Sequence, residues 1–462
     1  MNQLGARGSV ETTRRWGPYP YYKDSGVEWL GEIPEHWSIM PIKRIFYILN
    51  GSTPKSSEPS YWSGSIPWAT PDDLGSLETD TLKITKRMIT QEGYESCGTQ
   101  LAPTGSLVLS TRAPIGHLAI AGVPLCTNQG CRCLVFRGKT QNRFYYHQLL
   151  AAKQELESWG QGSTFKELSR DKLVSVSLVS PTLDEQQAIT AFLDRETSRI
   201  DTLIAKKQRQ IELLQEKRTA LISHAVTKGL NPEAKMKDSG IEWLGEIPEH
   251  WTLLSIKRLT LVKRGASPRP IDDPKYFEDE GEYAWVRIAD VTASNRYLEK
   301  TTQRLSELGK SLSIPLEPGD LFLSIAGTVG KPIITKIKCC IHDGFVYFPQ
   351  YFENKEFLYY IFASGQPYKG LGKWGTQLNL NTDTVGGIHI GLPPRDEQDK
   401  IVTFLDFETQ QVDVMIKKVN SSISLLQEYR TALISAAVTG KIDVRKEVAC
   451  THMNLLCCPL MG

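Results

Sequence analysis

One block of sequence occurs twice in the chain, and this repetition constrains the fold more than any other feature. Residues 23–37 read KDSGVEWLGEIPEHW, residues 237–251 read KDSGIEWLGEIPEHW, and the copies differ only at Val27 and Ile241. Self-similarity at a fixed spacing indicates a duplicated architecture. The same spacing also aligns residues 42–44 with 256–258, Gly51 with Gly265, residues 109–110 with 323–324, and Gly116 with Gly330.

A second block repeats at nearly the same spacing. Residues 184–227 and 396–439 are identical at 26 of 44 positions, and both contain DEQ, FLD, RTALIS and AVT in register. The stretches between the repeated blocks, 38–181 and 252–393, are largely unlike. The chain therefore alternates a variable region with a repeated segment, twice, which predicts an internal pseudo-twofold repeat.

The second repeated block has the periodicity of a coiled-coil helix, because its seam positions recur alternately at spacings of four and three. Thr182 and Glu185 form a capping-box pattern at the start of the first helix, and Gly229 and Gly440 supply stops. Each helix is predicted to span about 40 residues, or roughly 60 Å at 1.5 Å per residue. The seam consists of Ile200, Ile204, Lys207, Ile211, Leu214, Arg218, Leu221 and Ala225 in the first helix, and of Val412, Ile416, Val419, Ile423, Leu426, Arg430, Leu433 and Ala437 in the second.

An apolar stripe on a long helix needs a partner, and this chain carries two matching stripes. Pairing within the chain is the simpler solution. Because a whole variable region separates the helices, they can pack antiparallel, which sends the two variable regions to opposite ends. A coiled coil between two copies of the chain is the alternative.

The variable regions have a mixed α and β pattern. Short apolar segments bounded by Gly or Pro, such as residues 105–110 (GSLVLS) and 320–325 (DLFLSI), predict strands. Residues 145–152 and 357–363 predict short helices. The sequence therefore predicts an α+β fold in which two mixed α/β domains are separated by two long antiparallel coiled-coil helices.

The repeated motifs resemble the specificity subunits of type I restriction-modification systems. The resemblance lies in DSG-x-EWLGEIP-x-HW, present twice, and in P-x-x-DEQ leading into a helix that ends in RTALIS-x-AVT, and it covers nearly the whole chain. It implies that each variable region is a target recognition domain reading one half of a split duplex DNA target. It also implies that the helices dock two methyltransferase (M) subunits, and that methyl transfer and cleavage belong to the M and restriction (R) subunits. The tail from Lys446 to Gly462, with Cys450, Cys457 and Cys458, departs from this pattern because no counterpart follows the first repeat.

The repeats and the resemblance together predict the domain organisation. The predicted parts are an N-terminal segment with the first motif copy (1–37), target recognition domain 1 (38–181), a central spacer helix (182–229), a linker with the second motif copy (230–251), target recognition domain 2 (252–393), a C-terminal spacer helix (394–440) and a tail (441–462).

Sequence reading requires polar side chains on base edges and basic side chains on phosphates, supplied from loops on a rigid support. Three pairs of loops offer such residues at matching places in the two halves. For any single residue, a solvated loop without a DNA contact is the alternative. The candidates are Ser52, Thr53, Lys55, Ser110, Arg112 and Lys166 in the first half, and Arg264, Ser267, Arg269, Ser324, Lys331 and Gln377 in the second.

Motifs for catalysis are missing or stand in the wrong context. The chain has neither an [ND]-P-P-[YFW] methyltransferase motif nor a G-x4-G-K-[ST] phosphate loop, and the glycines at 370, 372 and 375 follow no buried strand. His36 and His250, inside the repeated motif, are interpreted as packing and hydrogen-bonding residues. We therefore expect no catalytic residue and no cofactor. The alternatives are a coiled-coil adaptor that binds proteins and a self-contained DNA methyltransferase or nuclease.

The composition fits a non-membrane protein of the cytoplasm. No apolar run approaches the roughly 18 to 20 residues of a membrane span, and the segment 1–16 lacks the apolar region of a secretory signal.

The nine cysteines form no C-x2-C pairs, so we expect reduced thiols and no metal site. The net charge of +2 says little about partners, so basic residues that bind DNA must be concentrated locally.

Overall fold

The computed structural model describes residues 16–77, 79–138, 140–161, 166–369 and 380–447. The chain divides into two compact units. Unit 1 contains the described residues up to Lys206 together with those from Ser421 onward, and unit 2 extends from Lys207 to Asn420. Unit 2 is therefore continuous in sequence, whereas unit 1 is built from two separate stretches of chain.

Unit 1 is a mixed α/β unit with a five-stranded sheet in the order β4-β11-β8-β9-β6. Smaller sheets pair β1 with β2, β12 with β3, and β5 with both β10 and β7. The strands are β1 (Tyr22–Asp24), β2 (Glu32–Pro34), β3 (Ser38–Pro41), β4 (Phe46–Asn50), β5 (Trp62–Ala69), β6 (Thr81–Leu82), β7 (Met88–Ile89), β8 (Leu107–Ser110), β9 (Leu118–Ala121), β10 (Cys126–Thr127), β11 (Cys131–Phe136) and β12 (Ser177–Ser180). The helices are α1 (Ile42–Ile45), α2 (Pro71–Gly75), α3 (Gln91–Glu95), α4 (Asn142–Ala151), α5 (Lys153–Ser158), α6 (Arg170–Ser175) and α7 (Leu183–Lys228), with a 3₁₀ turn at Pro59–Tyr61. Helix α7 belongs to unit 1 as far as Lys206 and to unit 2 from Lys207 onward.

Unit 2 repeats this architecture, with its five-stranded sheet in the order β16-β24-β21-β22-β18. A four-stranded sheet, β19-β17-β23-β20, and the pairs β13-β14 and β15-β25 complete it. The strands are β13 (Met236–Asp238), β14 (Glu246–Pro248), β15 (Thr252–Ser255), β16 (Lys263–Arg264), β17 (Tyr283–Val286), β18 (Tyr297–Leu298), β19 (Gln303–Leu305), β20 (Ile314–Leu316), β21 (Leu321–Ser324), β22 (Pro332–Thr335), β23 (Cys339–Ile341), β24 (Phe345–Tyr347) and β25 (His389–Leu392). The helices are α8 (Ile256–Leu259), α9 (Ile288–Ala293), α10 (Glu307–Ser311), α11 (Lys355–Ala363), α12 (Thr382–Gly387) and α13 (Arg395–Val438), with 3₁₀ turns at Pro274–Tyr276 and Gln366–Tyr368. Helix α13 belongs to unit 2 as far as Asn420 and to unit 1 from Ser421 onward.

The central strands are buried on both faces, which explains why they read as continuous apolar runs. In β8, Leu107 and Leu109 join the core formed with α4 and the long helices, while Val108 belongs to a second cluster on the other face. Successive side chains of a strand point to opposite faces, so an unbroken apolar run is needed here. In β21, Leu323 and Phe322 divide between two clusters in the same way.

The two long helices pack antiparallel within each unit. In unit 1, Asp201 of α7 pairs with Arg430 of α13 at 3.0 Å, and Glu185, near the start of α7, lies 3.9 Å from Arg445, just past the end of α13. In unit 2 the same ion pair recurs with the helices exchanged. There Arg218 of α7 lies 3.6 Å from Asp413 of α13, and these residues are the repeat equivalents of the first pair. The predicted fold class, with two mixed domains and two long antiparallel helices, is confirmed.

Every residue of the predicted seam, from Ile200 to Ala225 and from Val412 to Ala437, is buried or half-buried. Between 201 and 221 the seam positions are the least exposed residues of α7. The burial of α7 therefore follows the predicted alternating spacing of four and three residues. Which helix covers the middle of each seam stays a prediction.

The ends of the long helices are set by local chemistry. The Thr182 Oγ1 accepts a hydrogen bond from the backbone N–H of Glu185 at 3.3 Å, and Thr182 donates its own N–H and hydroxyl to the Glu185 carboxylate. Gly229 and Gly440 follow the helices with φ of +73° and +72°, a conformation that favours glycine. The helices have 46 and 44 residues, slightly more than the predicted length.

The repeated EHW motif fastens each unit to the start of a long helix. In unit 1, His36 Nε2 lies 2.8 Å from a Glu185 carboxylate oxygen, and Trp37 Nε1 donates to the same oxygen at 3.4 Å. Burial alone would raise the pKa of Glu185, but these two hydrogen bonds, the charge of His36 and the Thr182 hydrogen bond together lower the pKa. The corresponding residues of unit 2 are His250, Trp251 and Glu397, with distances of 2.8 and 3.1 Å. The packing interpretation of both histidines fits these contacts.

Within the part of the chain that the structure describes, no helix combines the length and the apolar character needed to cross a membrane.

Candidate nucleic-acid interface

Three loops meet at one edge of the five-stranded sheet in each unit. The glycine loop (51–55, and 265–269 in unit 2) follows β4 or β16, the serine loop (110–117, and 324–331) follows β8 or β21, and the apex turn (128–131, and 342–345) leads into β11 or β24. Strand β11 pairs antiparallel with both β4 and β8, and β24 pairs antiparallel with both β16 and β21. Antiparallel neighbours bring the end of one strand beside the start of the next, so all three loops lie at the same sheet edge.

Backbone hydrogen bonds join the three loops in the same way in both units. The glycine loop bonds to the residue before the apex turn, from Ser52 N to Thr127 O at 2.9 Å. The serine loop bonds to the apex turn, from Thr111 N to Gly130 O at 2.8 Å. In unit 2 the matching bonds run from Ala266 N to Ile341 O at 3.2 Å and from Ile325 N to Gly344 O at 2.9 Å.

The glycine loop needs glycine because the apex turn lies so close to it. A Cβ at Gly51 would stand 1.8 Å from the backbone oxygen of Asn128, and one at Gly265 would stand 2.2 Å from that of His342. Neither position leaves room for a side chain, which explains why both repeats keep glycine at this position.

The apex turn has the same internal bonding in both units. In unit 1, Cys131 N donates to Asn128 O at 3.2 Å, and Gly130 N donates to the Asn128 Oδ1 at 2.9 Å. The turn of unit 2 is closed by the same two bonds, from Phe345 N to His342 O at 3.1 Å and from Gly344 N to His342 Nδ1 at 2.8 Å. The residue at the apex, Gln129 or Asp343, is therefore held on the same backbone in both units.

A hydroxyl of the glycine loop contacts the apex side chain in each unit. In unit 1 the Thr53 hydroxyl donates to Gln129 Oε1 at 2.5 Å, and in unit 2 the Ser267 hydroxyl donates to Asp343 Oδ1 at 3.0 Å. Arg269 adds a hydrogen bond to Asp343 Oδ2 at 3.1 Å. Partial burial would raise the pKa of Asp343, but the Ser267 hydrogen bond and the charges of Arg269 and Arg264 lower the pKa, so Asp343 is a carboxylate at neutral pH.

The loops of unit 1 and the segment next to them carry cationic side chains. Lys55 is exposed, and Arg112 of the serine loop lies 3.1 Å from the Glu167 carboxylate. The segment around Lys166, itself exposed, is joined to the serine loop because Ala113 N donates to the Lys166 backbone oxygen at 3.2 Å. The structure thus brings the first-half candidates together. Gln377, the candidate of the matching segment in the second half, lies outside the described residues.

Three predicted site residues have structural contacts that argue against base reading. Ser110 and Ser324 are fully buried, and their hydroxyls donate to Pro114 O at 2.7 Å and to Ala326 O at 2.8 Å within their own turns. Lys331 is half-buried and donates to the backbone oxygens of Thr292 and Ser294. These side chains shape the serine loop, and we leave them out of the candidate interface.

Sequence reasoning missed the apex residues. The segments NQG (128–130) and HDG (342–344) each place polar residues before a glycine and an apolar strand, which is a turn signal. The two segments occupy equivalent positions of the repeat that aligns Gly51 with Gly265. A search for differing residues inside matching turns would have found Gln129 and Asp343.

The described residues hold no group of three or more His, Cys, Asp or Glu side chains that could bind a metal ion. The cysteines at positions 126, 131, 133, 339 and 340 are free and buried. Burial raises the pKa of the Cys126 thiol to about 11, so that thiol is protonated at neutral pH.

The family model that describes the type I restriction modification DNA specificity domain matches the chain twice, at residues 34–213 and 248–422. The chain belongs to the type I restriction-modification specificity family. Each match holds one copy of the glycine loop, the serine loop and the apex turn. The family assignment made from the repeated motifs is thereby confirmed.

Curated specificity subunits are similar to the chain over part or all of their length. The MjaIX specificity subunit of Methanocaldococcus jannaschii is 33% identical over 266 residues, which is 56% of this chain and 59% of that subunit. The putative MjaX specificity subunit of the same organism is 24% identical and aligns over 92% of this chain and 98% of its own length. The duplicated organisation is thus matched over nearly the whole of a second specificity subunit.

Two solved structures share the fold of this chain. A chain from a structure describing complex assembly and conformational transition of the type I R-M system aligns with a TM-score of 0.67 at 16% identity, covering 88% of this chain and 98% of that one. The HsdS subunit from Thermoanaerobacter tengcongensis aligns with a TM-score of 0.50 at 17% identity, covering 89% and 98%. At these identities the likeness concerns the fold.

Proposed function

We propose that this specificity subunit is a non-catalytic reader of duplex DNA in which each unit recognises one half of a bipartite, asymmetric target. The long helices dock two methyltransferase subunits, and restriction subunits join through the assembled complex. The observation that carries the proposal is the recurrence, in both units, of three loops joined by equivalent backbone hydrogen bonds, with exposed side chains that differ.

The chemistry of these loops suits DNA. Lys55, Arg112, Lys166 and Arg269 are exposed cations, which suit phosphate contacts and, for arginine, the edge of guanine. Hydroxyl, amide and carboxylate groups lie near these cations at the same sheet edge. The sheet is a rigid support of the kind that base reading requires. Because the side chains differ between units, two unlike half-sites are expected rather than a palindrome.

The long helices offer equivalent surfaces for two copies of one partner. Leu203 and Leu425 are exposed in unit 1, at 39% and 64%, and their repeat equivalents Met415 and Leu213 are exposed in unit 2, both at 49%. Large apolar side chains left in solvent at the same repeat positions support a docking role. Duplicated surfaces allow two identical partners to bind in equivalent ways.

The test is DNA binding by the purified chain with and without its methyltransferase partner, using duplexes that contain the target and duplexes that do not. We expect weak binding by the chain alone and sequence-specific binding by the complex, with an affinity that falls roughly 10³-fold or more between 50 and 200 mM salt. Equally tight specific binding by the chain alone would refute the docking role. Salt-independent behaviour would favour a protein-binding adaptor, and methyl transfer by the chain alone would favour a self-contained enzyme.

A further inference from the structure

Each unit has an apex platform at the same positions of the repeat, but the two platforms are built from different side chains. An apex platform consists of the apex residue and the glycine-loop hydroxyl that contacts it, Thr53 with Gln129 in unit 1 and Ser267 with Asp343 in unit 2. Neither apex side chain is needed to form its turn, since Asn128 or His342 closes the turn instead. The apex position is therefore free to vary without disturbing the loops around it.

In unit 1 the platform presents an oriented amide. Gln129 is exposed, and the Thr53 hydroxyl donates to its Oε1, so this contact does not use the two N–H groups of Nε2. The second lone pair of Oε1 also stays available. A glutamine that offers one acceptor and one donor side by side matches the N6 and N7 edge of adenine in the major groove.

In unit 2 the platform presents an oriented guanidinium. The Asp343 carboxylate accepts from Ser267 on one oxygen and from Arg269 on the other. Arg269 is 72% exposed, so most of its N–H fork faces solvent. A bidentate arginine is the most frequent reader of the O6 and N7 of guanine, and an aspartate that fixes its plane prepares it for that contact. Lys55, at the equivalent position of unit 1, is a point charge without a fork.

Resting on the proposed function, we propose that the apex platforms are the specificity-determining sites of the two half-sites: Gln129 reads an adenine in one half, and Arg269, positioned by Asp343, reads a guanine in the other. Thr53, Ser267 and Asp343 are positioning residues in this scheme. The pair of platforms then explains how one duplicated fold reads two unlike sequences.

The experiment selects sequences from a randomised duplex DNA library with the full chain in complex with its methyltransferase partner. Wild type is compared with Gln129→Glu, which removes the amide donor, with Arg269→Ala, and with Asp343→Asn. Gln129→Glu should lower the preference for one adenine in one half-site by about 10- to 100-fold. Arg269→Ala should lower the preference for one guanine in the other half-site by a similar factor, and Asp343→Asn by a smaller one.

Each variant carries its own control, because the half-site read by the unaltered unit should keep its full preference. That retained preference also demonstrates that the variant is folded and assembled. Unchanged preferences in both half-sites for Gln129→Glu and Arg269→Ala would overturn the assignment while leaving the proposed function intact. Loss of preference in both half-sites at once would overturn it as well. If the wild-type complex selected no sequence, the proposed function itself would fail.

Discussion

At the scale of single residues, the contact between Gly51 and the apex turn decides whether the loops of unit 1 can meet. The backbone oxygen of Asn128 occupies the space where a Cβ would stand. The sequence shows that glycine recurs at 51 and 265, but the reason is visible only once the turn at 128–131 is placed beside it. A residue that packs against a segment distant in sequence gives no local signal of its own.

Gly51→Ala should separate the glycine loop from the apex turn, at a cost of about 1–3 kcal/mol in the free energy of unfolding. Preference at one half-site should fall while the other half-site keeps its preference. Thermal unfolding and sequence selection by the assembled complex measure both effects. Gly98→Ala is the matched control, because no atom lies within 4 Å of a Cβ there. Equal behaviour of the two variants would contradict the close-contact argument.

Glu185 links the pH dependence of stability to the repeated EHW motif. Its lowered folded pKa means that it stabilises the fold above the unfolded value of about 4.3, and that this contribution is lost as the pH falls through the folded value. Glu185→Gln should therefore be less stable by about 1–2 kcal/mol at neutral pH, with the difference shrinking below about pH 4. Denaturant unfolding across pH measures this. The exposed Glu216→Gln should leave the profile unchanged, and a constant deficit at all pH values would exclude the ionic explanation.

At the scale of elements, the long helices were predictable and the meeting of the loops was not. Periodicity, a capping box and terminal glycines are local signals, and they gave α7 and α13 to within a few residues of their predicted bounds. The loops depend on strand order, which makes neighbours of strands as distant in sequence as β4 and β11. For the same reason the sequence alone does not reveal that the Ser110 side chain is buried, or that Gln129 is exposed beside the glycine loop.

Two neighbouring leucines of α13 separate the packing role of the helices from their proposed docking role. Leu426 is half-buried against the core of unit 1, whereas Leu425 is 64% exposed. Leu426→Asp should lower the free energy of unfolding by roughly 2–4 kcal/mol, because a carboxylate would be buried without a partner. Leu425→Asp should change it by no more than about 0.5 kcal/mol and yet weaken methyltransferase binding at least about 10-fold. Thermal unfolding and co-purification distinguish the two. If Leu426→Asp left stability unchanged, the seam register would be misassigned.

At the scale of the whole molecule, duplication separates variable regions from repeated segments. The variable regions carry the differing apex residues, while the repeated segments carry equivalent ion pairs and exposed apolar side chains in both halves. The duplication was predictable from the sequence, because the two copies of each repeated block share most of their residues. The side chains that the loops expose at the sheet edge were not, because their placement depends on loop geometry.

Exchanging residues 38–181 for the corresponding region of another specificity subunit should change one half of the DNA target and leave the other half unaltered. The physical reason is that every loop of the candidate interface in unit 1 lies inside this segment, while both repeated helices lie outside it. Mapping methylated adenines in cells that carry the exchanged chain measures the outcome. A target altered in both halves would contradict the independence of the two units.

The discontinuous construction of unit 1 has a consequence for the order of synthesis. Its core includes Leu433, Ile434, Ala437 and Val438, and Asp443 N donates to Gly17 O at 2.8 Å. When translation has reached Lys206, the ribosome has therefore synthesised only the first stretch of unit 1. The apolar surface of that stretch stays uncovered until the segment from Ser421 onward is synthesised. Unit 2, being continuous, can close first although it is translated later. A chain that ended before Ser421 would lack the segment that completes the core of unit 1, so the apolar surface of that unit would stay uncovered.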